Sequence, residues 1–163
     1  MPLTPIQDFI WQHREDNPRQ LALSAKKYPP SFAHSGKGLT VGNAAPDENF
    51  LISEVAAQVQ ALQKIRHKIP TWYRVGMDFP LALSLEQASS ERTARYKAGL
   101  FSGQNMADLT GGLGVDSFFF SLQFESLTYI DENAELLLAA RNNFALLGVS
   151  NVHFEHTSAE NFL

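Results

Sequence analysis

Cysteine is absent from the 163-residue sequence, and its absence excludes several kinds of site. Without thiols the chain has no disulfide framework, no thiolate zinc site and no cysteine nucleophile. Long apolar runs are also missing: no stretch approaches the roughly 20 consecutive apolar residues of a membrane-spanning helix, and Met1–Ile10 lacks the basic start and apolar run of a signal peptide. We therefore expect a cytoplasmic protein with neither a membrane partner nor a metal site.

Positive charge is nearly missing from the second part of the chain. Residues 101–163 contain one Lys or Arg against eight Asp or Glu, a net charge of −7. Residues 1–100 contain 12 against 9, a net charge of +3. An acidic surface does not attract a polyanion, so any contact with a nucleic acid would have to come from the first hundred residues.

Helical patterns dominate the amino-terminal part, for which we predict a helical domain over residues 1–88. Between Leu51 and Ile69 the apolar residues recur at steps of three and four, which is the period of an α-helix. Residues 31–49 are rich in glycine and poor in apolar side chains, so we predict a long irregular connection there. The apolar stretch Phe79–Leu85 is interpreted as extended. We predict helices at Thr4–His13, Pro18–Lys27 and Leu51–Ile69.

The end of the third predicted helix is basic, and two aromatic residues, Trp72 and Tyr73, follow it. One interpretation is that the cations only stabilise the helix end and keep it soluble, because positive charge is favoured near a helix C-terminus. The other is a surface that faces RNA, on which Trp72 and Tyr73 stack against bases. The sequence leaves both open. The cations are Lys64, Arg66, His67, Lys68 and Arg74.

A strand, a glycine-rich turn and a helix follow one another between Met106 and Phe124. The apolar run Met106–Leu109 is typical of a strand, Thr110–Gly114 holds three glycines, and Asp116–Phe124 has a helical apolar pattern. Glycine lets the backbone turn sharply and lets a ligand lie against the main chain, and the free N–H groups at the start of the next helix face such a ligand. The pattern predicts a cofactor-binding turn.

The spacing of the glycines narrows the kind of cofactor. Ser117 stands where the dinucleotide fingerprint has its third glycine, which disfavours a nucleotide-dependent oxidoreductase. A second apolar strand, Ser126–Ile130, ends at Asp131, 17 residues past Gly114. An acid at that place is where a ribose diol needs a hydrogen-bond acceptor.

Further elements complete the predicted α/β part, residues 89–163. Ser89 or Ser90 caps a helix that runs from Glu91 to Phe101. Four phenylalanines at positions 118, 119, 120 and 124 cannot share one helix face, so at least one is exposed or meets another domain. After the second strand we predict a helix at Asn133–Leu147, a third strand at Asn151–Glu155 and a loop and helix from Thr157 to Leu163.

Three motifs in this part carry a family resemblance. They are Ser89-Ser90-Glu91-x-x-Ala94-x-Tyr96-Lys97-Ala98, Asp108-Leu109-Thr110-Gly111-Gly112-Leu113-Gly114-Val115-Asp116 and Ala139-Ala140-Arg141-Asn142-Asn143. The sequence resembles class I S-adenosylmethionine-dependent methyltransferases, in particular the bacterial enzymes with a THUMP-like domain. It is similar, more distantly, to RNA guanine-N2 methyltransferases. The resemblance spans roughly Gln60–Leu163.

The resemblance implies a fold, a cofactor and a set of contacts. The fold is α/β: an amino-terminal helical domain followed by the first half of a Rossmann-like methyltransferase sheet, with three parallel strands and their helices. The cofactor is S-adenosylmethionine, and the methyl acceptor of the full-length protein is RNA. The implied cofactor contacts are Asp108, Thr110, Gly112 and Gly114 at the methionine end, Asp131 at the ribose hydroxyls and Ser158 at the adenine.

The catalytic signature of such enzymes, an acid or asparagine before Pro-Pro or Pro-Ala after the fourth strand, does not occur here. We therefore expect no catalytic residue among these residues and an amino-terminal fragment that is inactive by itself. An alternative is a non-catalytic α/β binding or interaction module, in which the glycine turn is structural. The usual strand order of methyltransferases, 3-2-1-4-5-7-6, would leave the first strand, Asn105–Leu109, at an open edge, and we expect self-association there.

Overall fold

The structure is a computed structural model that describes residues 3–23, 52–80 and 82–163. The predicted irregular connection at 31–49 lies outside these residues. The same holds for the end of the helix predicted at Pro18–Lys27. None of the described helices combines the length and the apolarity that a bilayer crossing requires.

The amino-terminal part is helical, as predicted. Thr4 caps the first helix: its hydroxyl accepts from the N–H of Gln7, whose side chain in turn accepts from the N–H of Thr4. The longest helix buries one apolar face, with Val59 and Ile65 fully buried. The elements are α1 (Pro5–Gln12), α2 (Pro18–Leu23), α3 (Ile52–Lys68), a 3-10 turn (Pro70–Trp72), α4 (Ala82–Gln87) and α5 (Glu91–Ala98).

The extended interpretation of Phe79–Leu85 was wrong from Ala82 onwards, where α4 begins. A short apolar run does not distinguish a buried strand from a buried helix by periodicity. Lys68 adds a tertiary contact that the local sequence does not reveal. Its ammonium donates to the carbonyl oxygens of Leu85 at 2.7 Å and Glu86 at 2.8 Å, near the end of α4, where cations are favoured.

The carboxyl-terminal part alternates strands and helices and forms a parallel sheet of order β1-β2-β3 in the described residues. This confirms the predicted α/β fold class with three parallel strands. It also confirms that β1 lies at an edge of the described sheet. The elements are β1 (Gly103–Asp108), α6 (Val115–Ser121), β2 (Phe124–Asp131), α7 (Ala134–Leu146), β3 (Val152–His156) and α8 (Ala159–Phe162).

One apolar core joins the helical part to the sheet. Trp72 is fully buried at its centre, with its ring 6.0 Å from that of Phe118 and 6.3 Å from that of Phe144. The three consecutive phenylalanines of α6 are all buried, because the helix is covered on several sides. The helix predicted at Asp116–Phe124 ends at Ser121, so placing Phe124 on it was wrong: Phe124 begins β2. Phe118 contacts Trp72 of the amino-terminal part, and the guanidinium of Arg95 lies 4.6 Å above the ring of Phe119.

Lys64 and Arg66 of the basic end of α3 are paired within the chain. The interpretation in which Trp72 stacks on RNA was wrong because that ring is buried in the core. Both terminal oxygens of Glu15 lie 3.1 Å from one guanidinium nitrogen of Arg66. The hydroxyl of Tyr73 donates to Glu15 at 2.9 Å. Lys64 forms an ion pair with Glu86. These cations tie α3 to the segment after α1 and to α4.

Candidate functional site

The two acids singled out in the sequence lie at neighbouring carboxyl ends of the sheet. Asp108 ends β1 and stands in register with Tyr129 of β2, and Asp131 ends β2 two residues later. Because the strands are parallel, both ends meet at one edge of the sheet, which is where open α/β folds bind ligands. The glycine turn Thr110–Gly114 begins at this edge.

The turn requires its glycines for different reasons. A Cβ on Gly111 would lie 2.1 Å from the ring of Tyr129, so a side chain there is excluded by contact. Gly112 and Gly114 have φ angles of +57° and +87°, which side chains disfavour. A Cβ on Gly114 would in addition lie 3.0 Å from the ring of Phe144.

Two side chains of β2 fix the peptide groups of Gly112. Asp131 Oδ2 accepts from the N–H of Gly112 at 2.7 Å. The hydroxyl of Tyr129 donates to the carbonyl oxygen of Gly112 at 2.5 Å. The N–H of Gly111 donates to the carbonyl oxygen of Ile130 at 2.8 Å. The turn after β1 is therefore held in place by the end of β2.

Tyr129 was not singled out in the sequence, and among the glycines of the turn it is Gly111 that lies against its ring. Burial raises the pKa of the Tyr129 hydroxyl above its ordinary value, and the charges of Asp131 and Asp108 raise it further. The hydroxyl therefore stays protonated at neutral pH and can only donate toward Gly112.

Asp108 is held by the turn and by the next helix. Its Oδ1 accepts from the N–H of Thr110 at 3.2 Å, and its Oδ2 accepts from the hydroxyl of Ser117 at 2.5 Å. Ser117 is fully buried and occupies the position where a dinucleotide-binding fingerprint has its third glycine. Here that position carries a hydroxyl that orients an acid, which explains why the fingerprint is incomplete.

Asp131 keeps acceptor capacity in spite of its contacts. Its Oδ1 accepts from the N–H of Asn133 at 2.8 Å, in addition to the bond from Gly112 to Oδ2. Asn133 caps α7 by accepting from the N–H groups of Glu135 and Leu136. Each carboxylate oxygen can accept two hydrogen bonds. One acceptor position on each oxygen of Asp131 therefore remains for a ligand with two hydroxyls.

Comparison with solved structures identifies the kind of fold. No protein-family profile matches the chain, and neither does any curated protein. The crystal structure of a "putative methyltransferase" from Porphyromonas gingivalis W83 is similar over 98% of this chain, with a TM-score of 0.70 and 25% identity. This chain has a methyltransferase-like fold. An rRNA methylase from Streptococcus thermophilus is similar over 44% of the chain and 43% of its own length, with a TM-score of 0.40 and 19% identity.

The chain spans 36% of the length of the Porphyromonas protein. Within this methyltransferase-like fold, Ser158 lies two residues past β3 at the same edge of the sheet as the two acids. Its hydroxyl oxygen accepts from the N–H of Asn161 at 3.3 Å and caps α8. The N–H of Glu160 and the hydroxyl of Ser158 hold the pKa of Glu160 below its ordinary value. The hydroxyl oxygen of Ser158 is thus engaged as an acceptor at the start of α8.

A cavity of about 200 Å³ lies elsewhere, between α3, α4 and the start of α7. Glu54, Lys64, Phe79 and Glu135 are among the residues that line it. None of its lining residues belongs to the glycine turn or is one of the two acids. The candidate site at the strand ends is therefore a separate feature.

Proposed function

We propose that the carboxyl ends of β1 and β2 hold S-adenosylmethionine and that the protein is a class I methyltransferase. One observation carries the proposal: Asp131 bonds directly to Gly112, so that the acid after β2 and the glycine turn after β1 form a single unit. The likeness to the Porphyromonas structure supports the same assignment of the fold.

The residues present fit this cofactor in their chemistry. Asp131 has an acceptor position on each oxygen for the two ribose hydroxyls. Asp108, Thr110, Gly112 and Gly114 border the place for the methionine end. Ser158 is proposed near the adenine, where its capping role leaves it a weaker partner than the acids. When bound, the cofactor supplies a methyl group on a positively charged sulfur, which a nucleophilic acceptor atom can take.

RNA is our proposed methyl acceptor for the full-length protein. This rests on the sequence resemblance to THUMP-like and guanine-N2 methyltransferases and on the net charge of +3 in residues 1–100. We propose that residues 1–88 form the helical domain that approaches the acceptor and that residues 89–163 hold the front half of the cofactor site. The transfer step and its catalytic residues are proposed for the full-length protein, in the cytoplasm.

A second candidate function is that of a binding module without catalysis. Three large apolar side chains, Tyr96, Leu100 and Phe101, are each more than half exposed near the start of the open strand β1. Four N–H groups of the turn region, those of Thr110, Gly111, Gly112 and Gly114, bond within the chain. Such a turn would also be stable without a ligand.

Calorimetric titration of the full-length protein with S-adenosylhomocysteine separates the two functions. The product has the adenosine, ribose and amino-acid parts of the cofactor, so a methyltransferase binds it at one site per chain. Absence of measurable heat, together with unchanged thermal stability in the presence of the ligand, would contradict the methyltransferase proposal and favour the binding module.

A further inference from the structure

Lys97, Ser89 and Asp116 form a closed polar cluster beside the glycine turn. The ammonium of Lys97 lies 2.9 Å from Ser89 Oγ and 2.8 Å from Asp116 Oδ2. Ser89 Oγ also donates to Asp116 Oδ2 at 2.9 Å. One carboxylate oxygen at the start of α6 therefore takes two donors, both from the segment that precedes β1.

The other carboxylate oxygen of this cluster lacks a donor. Asp116 Oδ1 is buried and has no hydrogen-bond partner within the part of the chain that the structure describes. A buried acceptor without a donor is costly, which points to a donor that comes from a ligand. The side chains of Lys97 and Asp116 are 43% and 28% exposed, so the cluster lies at the protein surface.

Asp116 lies close to the glycine turn along the chain. Asp116 is the second residue of α6 and follows Gly114 by two positions. The Cα–Cβ bonds of a helix lean toward its N-terminus, which here is the glycine turn. Ser117, the next residue, holds Asp108 through its hydroxyl. The cluster and the candidate cofactor site thus share the first turn of α6.

We propose that Lys97 and Asp116 together recognise the amino-acid end of the cofactor, an inference that rests on the proposed function. The ammonium of Lys97 binds the α-carboxylate, and Asp116 Oδ1 accepts from the α-ammonium. A cation and an anion held side by side are complementary to a zwitterion, which carries the same two charges in neighbouring positions. Ser89 is a positioning residue, since it contacts both and keeps Lys97 against Asp116.

A second lysine of the chain provides a matched control. Lys64 is 44% exposed and pairs with Glu86, whereas Lys97 is 43% exposed and pairs with Asp116. The carboxylate of Glu86 is 58% exposed, twice as much as that of Asp116. Lys64→Gln therefore removes an equally exposed cation and one ion pair at a place remote from the glycine turn.

The test compares two ligands by calorimetry on the full-length protein. S-adenosylhomocysteine carries the amino-acid end, and 5′-methylthioadenosine keeps the adenosine and the sulfur but lacks that end. We expect Lys97→Gln to weaken S-adenosylhomocysteine about tenfold to a hundredfold, the value of a hydrogen bond to a charged group, with methylthioadenosine unchanged. Lys97→Arg should keep part of the preference for S-adenosylhomocysteine over methylthioadenosine, and Lys64→Gln should keep all of it.

If Lys97 has only a structural role, Lys97→Gln should lower the affinity for both ligands by the same factor, and that result overturns the inference. Equal affinity of the wild type for the two ligands also overturns it and leaves the proposed function standing. Binding of neither ligand by the folded wild type contradicts both. If Lys97→Gln does not fold, as judged by circular dichroism, Ser89→Ala replaces it, because only a hydroxyl is lost, and must weaken S-adenosylhomocysteine selectively.

Discussion

The carboxylate of Asp131 accepts a 2.7 Å hydrogen bond from the backbone N–H of Gly112, which joins the end of β2 to the turn after β1. The residues are 19 positions apart in the sequence. Because Tyr129 holds the carbonyl oxygen of Gly112, both polar groups of this glycine are fixed by one strand. An acid expected to meet a ribose is thus also a structural partner of the turn.

Replacing Asp131 with alanine should weaken binding of the cofactor to the full-length protein by about 1.5–3 kcal/mol, the value of hydrogen bonds to a charged group. Both ribose hydroxyls lose their acceptor, and the turn loses one bond. Calorimetry with S-adenosylhomocysteine measures the change. Glu132→Ala, at the exposed neighbouring acid, is the control and should leave the affinity as it is. Unchanged affinity in Asp131→Ala would place the ribose elsewhere.

Gly111→Ala should destabilise the fold. The new Cβ would lie 2.1 Å from the buried ring of Tyr129, and overpacking of this kind costs about 1–3 kcal/mol or more. The free energy of unfolding from urea titration gives the effect. Gly99→Ala is matched, since Gly99 has an ordinary φ of −70° and its nearest contact would be at 3.4 Å. Equal stability of the two variants would contradict the packing around Gly111.

Asp78 should make the stability depend on pH between about 4 and 6. Burial raises the pKa of this carboxyl from 3.8 to about 6, against the hydrogen bond from the N–H of Phe79, and the charge of Glu135 raises it further. The folded state then binds the proton more tightly than the unfolded state. The contribution of the Asp78 carboxyl to the free energy of unfolding is therefore most favourable below pH 4, declines as the pH rises to about 6 and is constant above that.

Asp78→Asn isolates this effect. Above pH 6 the variant should be more stable than the wild type by about 1–3 kcal/mol, and the difference should shrink as the pH falls to 4. Urea unfolding at a series of pH values measures it. Glu125→Gln, at an exposed acid of β2, should show no such trend. A constant difference across the series would show that the Asp78 carboxyl titrates normally in the folded protein.

The 163-residue chain should self-associate through β1. This strand pairs only with β2 in the described sheet, and its residues Gln104, Asn105 and Ala107 are exposed without a lysine or proline to protect the edge. Sedimentation at micromolar concentration should reveal species above 18.1 kDa. Ala107→Lys, which adds a charge to the edge, should shift the equilibrium toward the monomer. A wild type that sediments only as a monomer would contradict self-association through β1.

Local signals predicted the elements of the sheet well. The N-cap Asn133 and the glycine Gly148, which has a φ of +77°, bracket α7 close to where the sequence placed it. The alternation of short apolar strands with helices predicted the elements, and the family resemblance implied that the three strands are parallel. These features depend on residues that are near one another in the chain.

Contacts between distant residues were not predictable in the same way. The hydroxyl of Tyr129 donates to the turn from the next strand. The hydroxyl of Ser117, at the position where a dinucleotide-binding fingerprint has glycine, donates to Asp108. Trp72 follows a basic helix end, which suggested a surface position, yet it is fully buried against Phe118. Burial of this kind depends on how the helical part packs on the sheet, which no local pattern encodes.

A crystal structure of the full-length protein with S-adenosylhomocysteine tests the central proposal most directly. We predict that both ribose hydroxyls lie within about 2.6–3.2 Å of the Asp131 carboxylate oxygens, the range of hydrogen bonds to such groups. The amino-acid end should lie beside Asp108 and the turn Thr110–Gly114. A ligand bound elsewhere, with Asp131 bonded only to Gly112 and Asn133, would contradict the proposal.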